Sequence, residues 1–179
     1  MSENKKLSME ELGRLNPDEF KSSEKTPLVF LLDDVRSMNN VGSVFRSADA
    51  FRIEGIELCG ITPCPPHREI QKTALGATET VRWKHHDNAG VAALELKAQG
   101  FTILCAEQVS NSKLLTQAEF SRDKKYVVIL GNEVDGVSQE LVNLADYCLE
   151  IPQSGTKHSL NISVAAGIIA WEVYRQVNQ

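Results

Sequence analysis

The residue types best suited to chemistry fall in three glycine-containing blocks: NNVGSVFR (Asn39 to Arg46), LGNEVDG (Leu130 to Gly136) and IPQSGTKHSLN (Ile151 to Asn161). In the second block a β-branched apolar run ends at Gly131, and Ser138 can cap the helix that follows. This is the strand–loop–helix arrangement in which α/β proteins bind ligands. Gly131 and Gly136 have the spacing of a phosphate-binding loop, with Ser138 at its hydroxyl position. The phosphate-neutralising lysine is replaced by Val137, however, and the loop carries Glu133 and Asp135, so phosphate is repelled. Two carboxylates beside free backbone groups suit a cationic or uncharged ligand. S-adenosylmethionine, with a sulfonium and an ammonium but no phosphate, is such a ligand and points to methyl transfer.

The first block opens a helix expected from Asn40 to about Phe51. Val41, Val44, Phe45, Ala48 and Phe51 share one face, and Arg46 projects away from it, roughly 9 Å along the axis from Asn40. Arg46 has two readings: a solvated arginine pairing with Asp49 at i+3, or part of an anion site for a ribose phosphate, formed with Asn40 and the free amides of Val41 and Gly42 at the helix N-terminus. Gly42 inside a helix costs about 1 kcal/mol relative to alanine, which fits close approach by a neighbour or a ligand. In the third block Ser159 can cap a terminal helix with Asn161 in its first turn, a local hydrogen-bonding role. The long polar connection from Ile151–Pro152 through Gly155 to Ser159 also follows a strand, where α/β folds hold ligands.

Other chemistries find little support. His67, His85, His86 and His158 lack a HExxH spacing and read as surface or supporting groups. Cys59, Cys64 and His67 are too few and too widely spaced for structural zinc, so no metal is expected. No GxGxxG opens the first helix, which excludes the Rossmann type of methyltransferase.

These blocks need a scaffold. The chain has 179 residues, 42% of them hydrophobic, enough for one substantial core and one domain. Its longest nearly apolar run, Ile162 to Trp171, is about half the ~20 residues that span a bilayer, and its start has no apolar signal region; no membrane association is expected. Four cysteines without CxxC spacing indicate reduced thiols in a cytosol. A net charge of -5 argues against sequence-independent nucleic-acid binding but leaves room for a local basic surface. Residues 1 to 26 read as a basic arm carrying one short helix, started by Ser8 and Glu11 as a capping box, and too poor in apolar residues to join the core. In the body, strands are expected at 28–32, 56–60, 80–84, 101–106, 126–130 and 147–151. They alternate with helices at 40–51, near 68–75, at 88–100, near 117, at 138–145 and at 159–176. That alternation predicts an α/β fold, a mainly parallel sheet flanked by helices.

Taken in order over residues 28 to 176, the three blocks resemble the SpoU (TrmH-like) family of RNA ribose 2′-O-methyltransferases, within the SPOUT class. Asn40, Gly42 and Arg46 match its first motif, Leu130 to Gly136 its second, and Ile151 to Ile168 its third. The resemblance implies a methyltransferase domain over residues 27–179 with a C-terminal deep trefoil knot, a rare exception to unknotted chains. It places catalytic roles on Asn40, Arg46, Glu133, Ser159 and Asn161. It places S-adenosylmethionine contacts on Ala106 and Glu107, on Leu130, Gly131, Asn132, Glu133 and Gly136, and on Ile151, Pro152, Ser159 and Leu160. RNA contacts are expected from Arg36, Arg46, Arg68 and Lys72. Gln153 and Lys157–His158 depart from common family residues and bear on substrate preference. A homodimer is also implied, with Leu160, Val164, Ile168, Ile169 and Trp171 of the terminal helix offering apolar surface. Transfer RNA is favoured over ribosomal RNA because the chain has no separate RNA-binding domain. The competing readings are a non-catalytic RNA-binding or assembly factor and a phosphate-binding signalling domain; Glu133 and Asp135 weaken the latter.

Overall fold

The computed structural model describes residues 4–8 and 10–178. Its helices are α1 (Pro17–Ser22), α2 (Met38–Ala50), α3 (Arg68–Ala74), α4 (Ala77–Thr80), α5 (Ala89–Ala98), α6 (Gln139–Leu144) and α7 (Ile162–Val177). Its strands are β1 (Thr26–Asp33), β2 (Ile53–Cys59), β3 (Trp83–His86), β4 (Phe101–Ala106), β5 (Lys113–Leu114), β6 (Lys125–Leu130) and β7 (Tyr147–Glu150). They form one seven-stranded sheet in the order β3-β2-β1-β6-β4-β7-β5, with every pairing parallel. The expected mainly parallel sheet is thus wholly parallel.

The period-two alternation of the strands sorts the core into two layers. Leu28, Phe30 and Leu32 of β1 join Val44, Phe45, Ile169 and Val173 from α2 and α7 on one face. Val29 and Leu31 join Ala92, Ala93 and Leu141 from α5 and α6 on the other. Pairing of Leu32 with Leu130, Cys105 with Ile129, and Ala106 with Leu149 brings the carboxyl ends of β1, β6, β4 and β7 level at one edge. The second and third sequence blocks begin there, and the first lies in the opening turns of α2, which follows β1.

Gly42 is a requirement of helix packing. A Cβ at this position would lie 2.1 Å from Thr73 Oγ1 and 2.3 Å from the Ile70 carbonyl oxygen, so the close neighbour is α3. Thr73 Oγ1 in turn donates to the Asn39 carbonyl at 3.0 Å. Buried Glu57, 3% exposed, is paired with Arg82 Nη1 and His86 Nε2, both at 2.8 Å, so its charge is compensated.

Several sequence expectations shift. The strand expected at 80–84 begins at Trp83, because Ala77–Thr80 form a helical turn in which Thr80 Oγ1 bonds the Ala77 carbonyl at 3.1 Å. The two-residue β5 was not foreseen; so short a strand carries no readable period. Ser8 and Glu11 do make the reciprocal bonds of a capping box, but residues 10–13 form only a turn, and Met9 lies outside the described residues. The helix in this segment is α1, where Asn16 and Glu19 form a second capping box ahead of Pro17. The expectation that residues 1–26 do not join the core is corrected. α1 delivers Phe20, 5% exposed, into the α2/α7 face, while Leu7, Leu12 and Leu15 stay exposed. Among the described residues no helix is long and apolar enough to cross a membrane, and no group of three or more His, Cys, Asp or Glu is placed to hold a metal ion.

Candidate active site

A cleft of about 520 Å³ opens over the carboxyl ends of β6, β4 and β7, adjacent strands whose following loops can converge on one ligand. Its lining contains Ala106, Glu107, Leu130, Gly131, Asn132, Glu133, Gly136, Ile151, Ser159 and Leu160, as well as Asn161. Pro152 is exposed and outside the lining, although its neighbours Ile151 and Gln153 are part of it. The sequence reading did not find Gln108, Gln153 or His158 as lining residues, nor Leu149, Ile162 and Ala165, which it read only as strand and helix.

The glycines of the second block are fixed by their neighbours. A Cβ on Gly131 would lie 2.0 Å from the carbonyl carbon and oxygen of Gly136, so the loop returns on its own backbone. Asn132 ties that return, its Oδ1 accepting from the amides of Val134 and Asp135 at 2.9 Å each. Gly136 has φ +69°, and a Cβ there would meet Glu107 Oε2 at 2.3 Å. The same Glu107 oxygen accepts from the Val137 amide at 3.0 Å.

The three blocks are joined by one chain of hydrogen bonds. The Glu133 carboxylate accepts from the Arg36 and Ser37 amides at 3.1 Å each and from Asn40 Nδ2 at 3.0 Å. Asn161 Nδ2 donates to Asn40 Oδ1 at 3.1 Å, and Asn161 Oδ1 caps α7 by accepting from the Ser163 amide at 2.9 Å. Asn161 is therefore the cap of α7, in place of the expected Ser159. Ser159 lines the cleft with no side-chain hydrogen bond among the described residues. Partial burial pushes the Glu133 carboxyl up, but the bonds from Arg36, Asn40 and Ser37 outweigh it and hold the group below the usual glutamate range.

The anion site expected at the start of α2 is corrected in detail. The helix begins earlier, with Ser37 as its cap, so the Val41 amide is not free: it donates to the Ser37 carbonyl at 3.0 Å. Just ahead of the helix the Arg36 and Ser37 amides donate to the protein's own Glu133 carboxylate, and in its first turn the Asn40 amide donates to Ser37 Oγ, so a carboxylate already sits at the positive end of the helix dipole. The signal for this start was Ser37 itself, a strong N-cap type three residues before Asn40.

Arg46 is exposed and makes no ion pair or side-chain hydrogen bond among the described residues; the carboxylate of Asp49 instead accepts from Thr80 Oγ1. The salt-bridge reading of Arg46 therefore fails. Six residues beyond Asn40, it is turned roughly 120° around α2 from the side that meets Glu133 and Asn161. Arg36 and Arg68 are likewise exposed, while Lys72 is paired with Glu69 at 2.7 Å.

The donor set of the cleft fits S-adenosylmethionine. Four carboxylates, Glu107, Glu133, Asp135 and Glu150, line it without a lysine or arginine. Glu107, Glu133 and Glu150 accept hydrogen bonds from the protein, whereas Asp135 accepts none among the described residues, leaving it free for a cationic group. Leu130, Leu149, Ile151, Leu160 and Ile162 supply apolar walls for a flat base.

Known proteins share both sequence and architecture with this chain. Residues 27–171 match the model of the SpoU rRNA Methylase family. The tRNA (guanosine(18)-2′-O)-methyltransferase of Escherichia coli K12 is 31% identical over 167 residues, 93% of this chain and 67% of the relative. The crystal structure of the A. aeolicus TrmH/SpoU tRNA modifying enzyme superposes with a TM-score of 0.79 at 29% identity, covering 89% of this chain and 80% of that one. An AdoMet-bound rRNA methyltransferase from Sinorhizobium meliloti gives 0.78 at 28% identity, covering 85% and 57%. With a cleft that suits S-adenosylmethionine and a family match spanning the sheet and all three blocks, this chain belongs to the SpoU family of RNA methylases.

Proposed function

We propose that this S-adenosylmethionine-dependent RNA ribose 2′-O-methyltransferase acts on structured transfer RNA. The observation that carries the reading is the Glu133–Asn40–Asn161 chain, which draws three sequence-distant blocks together beside a cleft rich in carboxylates. The choice of transfer RNA is supported by two relatives whose names specify tRNA, one from E. coli and one from A. aeolicus.

Bound S-adenosylmethionine supplies an electrophilic methyl group. The chain's residues hold it and prepare the acceptor. The loops at Ala106–Glu107, Leu130–Gly136 and Ile151–Leu160 would hold the cofactor, with Asp135 available to its cationic part and Ser159 offering a hydroxyl. Glu133 acts as a positioning residue, since its oxygens are engaged by Arg36, Ser37 and Asn40. Asn40 and Asn161 present fixed amides at the cleft edge. Arg46, exposed and without an ion-pair partner among the described residues, meets the RNA, orients a phosphate and stabilises charge developing on the ribose 2′-oxygen. Its guanidinium, with a pKa above ~12, is a poor base by itself, so it also assists proton removal only when poised by that phosphate.

The same reading includes a cytoplasmic homodimer whose terminal segment is threaded as a trefoil knot. Its support is α7, where Val164, Ile168 and Trp171 are 49%, 37% and 51% exposed along one stripe, an apolar face suited to a second copy. Residues 1–26, whose five Lys and Arg stand against six Asp and Glu, are proposed as an arm docked through Phe20 on a body of 27–179, with Lys6, Arg14 and Lys21 joining Arg36, Arg46, Arg68 and Lys72 on the RNA side.

The test is methylation in vitro with S-adenosylmethionine and either unmodified transfer RNA or ribosomal RNA, followed by mass spectrometry of the nucleosides. A 2′-O-methyl nucleoside in transfer RNA is expected. Arg46→Ala should lower turnover at least about a hundredfold with cofactor affinity within twofold of wild type. Product in ribosomal RNA alone would move the substrate, and RNA binding without product would favour a non-catalytic factor.

A further inference from the structure

The segment Pro152 to Leu160 carries a wall of the cleft, yet it has no helix, strand or hydrogen-bonded turn, and Pro152 to Ser159 are all exposed. Among the described residues, one hydrogen bond ties this segment to another element: Gln108 Nε2 donates to the His158 carbonyl at 2.9 Å. Gln108 follows directly on Glu107, whose Oε1 accepts from the Gln108 amide at 2.9 Å and whose Oε2 grips the Val137 amide at 3.0 Å. Two consecutive residues at the end of β4 therefore brace both neighbouring loops, Glu107 the one after β6 and Gln108 the one after β7.

We propose that Gln108 is a positioning residue that sets cofactor affinity and product release by holding the 152–160 segment against the cleft. The inference rests on the cofactor reading of that cleft. With a single tether, the loss of one donor converts directly into a population of open segment. Its neighbour Ser159 and the wall residue Leu160 then leave the cofactor together, whereas Asn40, Glu133 and Asn161 stay in place through their own bonds.

The experiment compares wild type, Gln108→Met, which keeps length and loses the donor, and Gln108→Lys, which restores a donor of similar reach. Affinity for S-adenosylmethionine is read by calorimetry, dissociation of S-adenosylhomocysteine by stopped flow, and opening of residues 152–160 by the rate of trypsin cleavage after Lys157 in the free protein. The methionine variant should bind the cofactor roughly three- to tenfold more weakly, the effect of one exposed hydrogen bond, with faster product dissociation and faster cleavage at Lys157. The lysine variant should recover most of the loss in binding and product retention, and KM for RNA should not move. If wild type binds and the methionine variant binds within twofold with unchanged cleavage, the tether is overturned while the cleft reading stands. If wild type fails to bind, the cleft reading falls, and the cleavage comparison still decides whether Gln108 holds the segment.

Discussion

At the residue scale, the centre of the site is a carboxylate that the protein uses on itself. Glu133 sits where an incoming anion was expected, at the start of α2, and its three hydrogen bonds explain why its pKa is depressed despite partial burial. A depressed carboxylate pKa adds stability above the unfolded-state value, and that stability is lost as pH falls through the folded-state value. Glu133→Gln should therefore lower the melting temperature at neutral pH, because one amide proton would face backbone donors. The gap to wild type should close as pH drops below the ordinary glutamate range. Melting curves between neutral pH and about pH 3 check this, and a gap that does not change with pH would remove the charge from the explanation. The block residues themselves were legible from type and spacing. The outward direction of Arg46 followed from the same spacing, but the start of α2 at Ser37 and the donor role of Gln108 were not read, the second because it depends on a contact between positions fifty apart.

At the element scale, strand existence and helix faces followed from periodicity, but short pieces escaped it. α1 has six residues, too few for a period, and its start is marked only by Asn16, Pro17 and Glu19. Its effect is nonetheless large, since Phe20 closes the α2/α7 face of the core. Phe20→Ala should cost about 3–5 kcal/mol by chemical denaturation, the usual range for a buried phenylalanine. Removal of residues 1–25 should then destabilise the fold as well as weaken RNA binding. A deletion that leaves the melting temperature unchanged would show that α1 docks without contributing stability.

At the scale of the whole molecule, two surfaces remain to be matched with partners. The exposed stripe on α7 adjoins an aromatic cluster in which Trp171 and Tyr174 lie 5.9 and 5.6 Å from the Phe51 ring. A second copy would bury this stripe; Trp171→Glu should shift sedimentation toward monomer at micromolar concentration, and an unchanged profile would place the interface elsewhere. RNA faces a chain of net charge -5, so binding must come from a limited basic surface. Affinity for transfer RNA should fall steeply between low and physiological salt, as screening and counterion release require.

The sequence by itself determined the wholly local features: the β-branched runs that became parallel strands, the apolar face of α2, the cap at Ser138, and the three blocks whose order identifies the family. Each is written in a spacing of a few residues. Tertiary structure alone decided that Gly42 makes room for α3, that Glu133 closes the end of α2, and that Asn161 reaches Asn40 across the sheet edge. Those contacts join residues brought together only when β1, β6, β4 and β7 align in register, and no local period records which strand lies beside which.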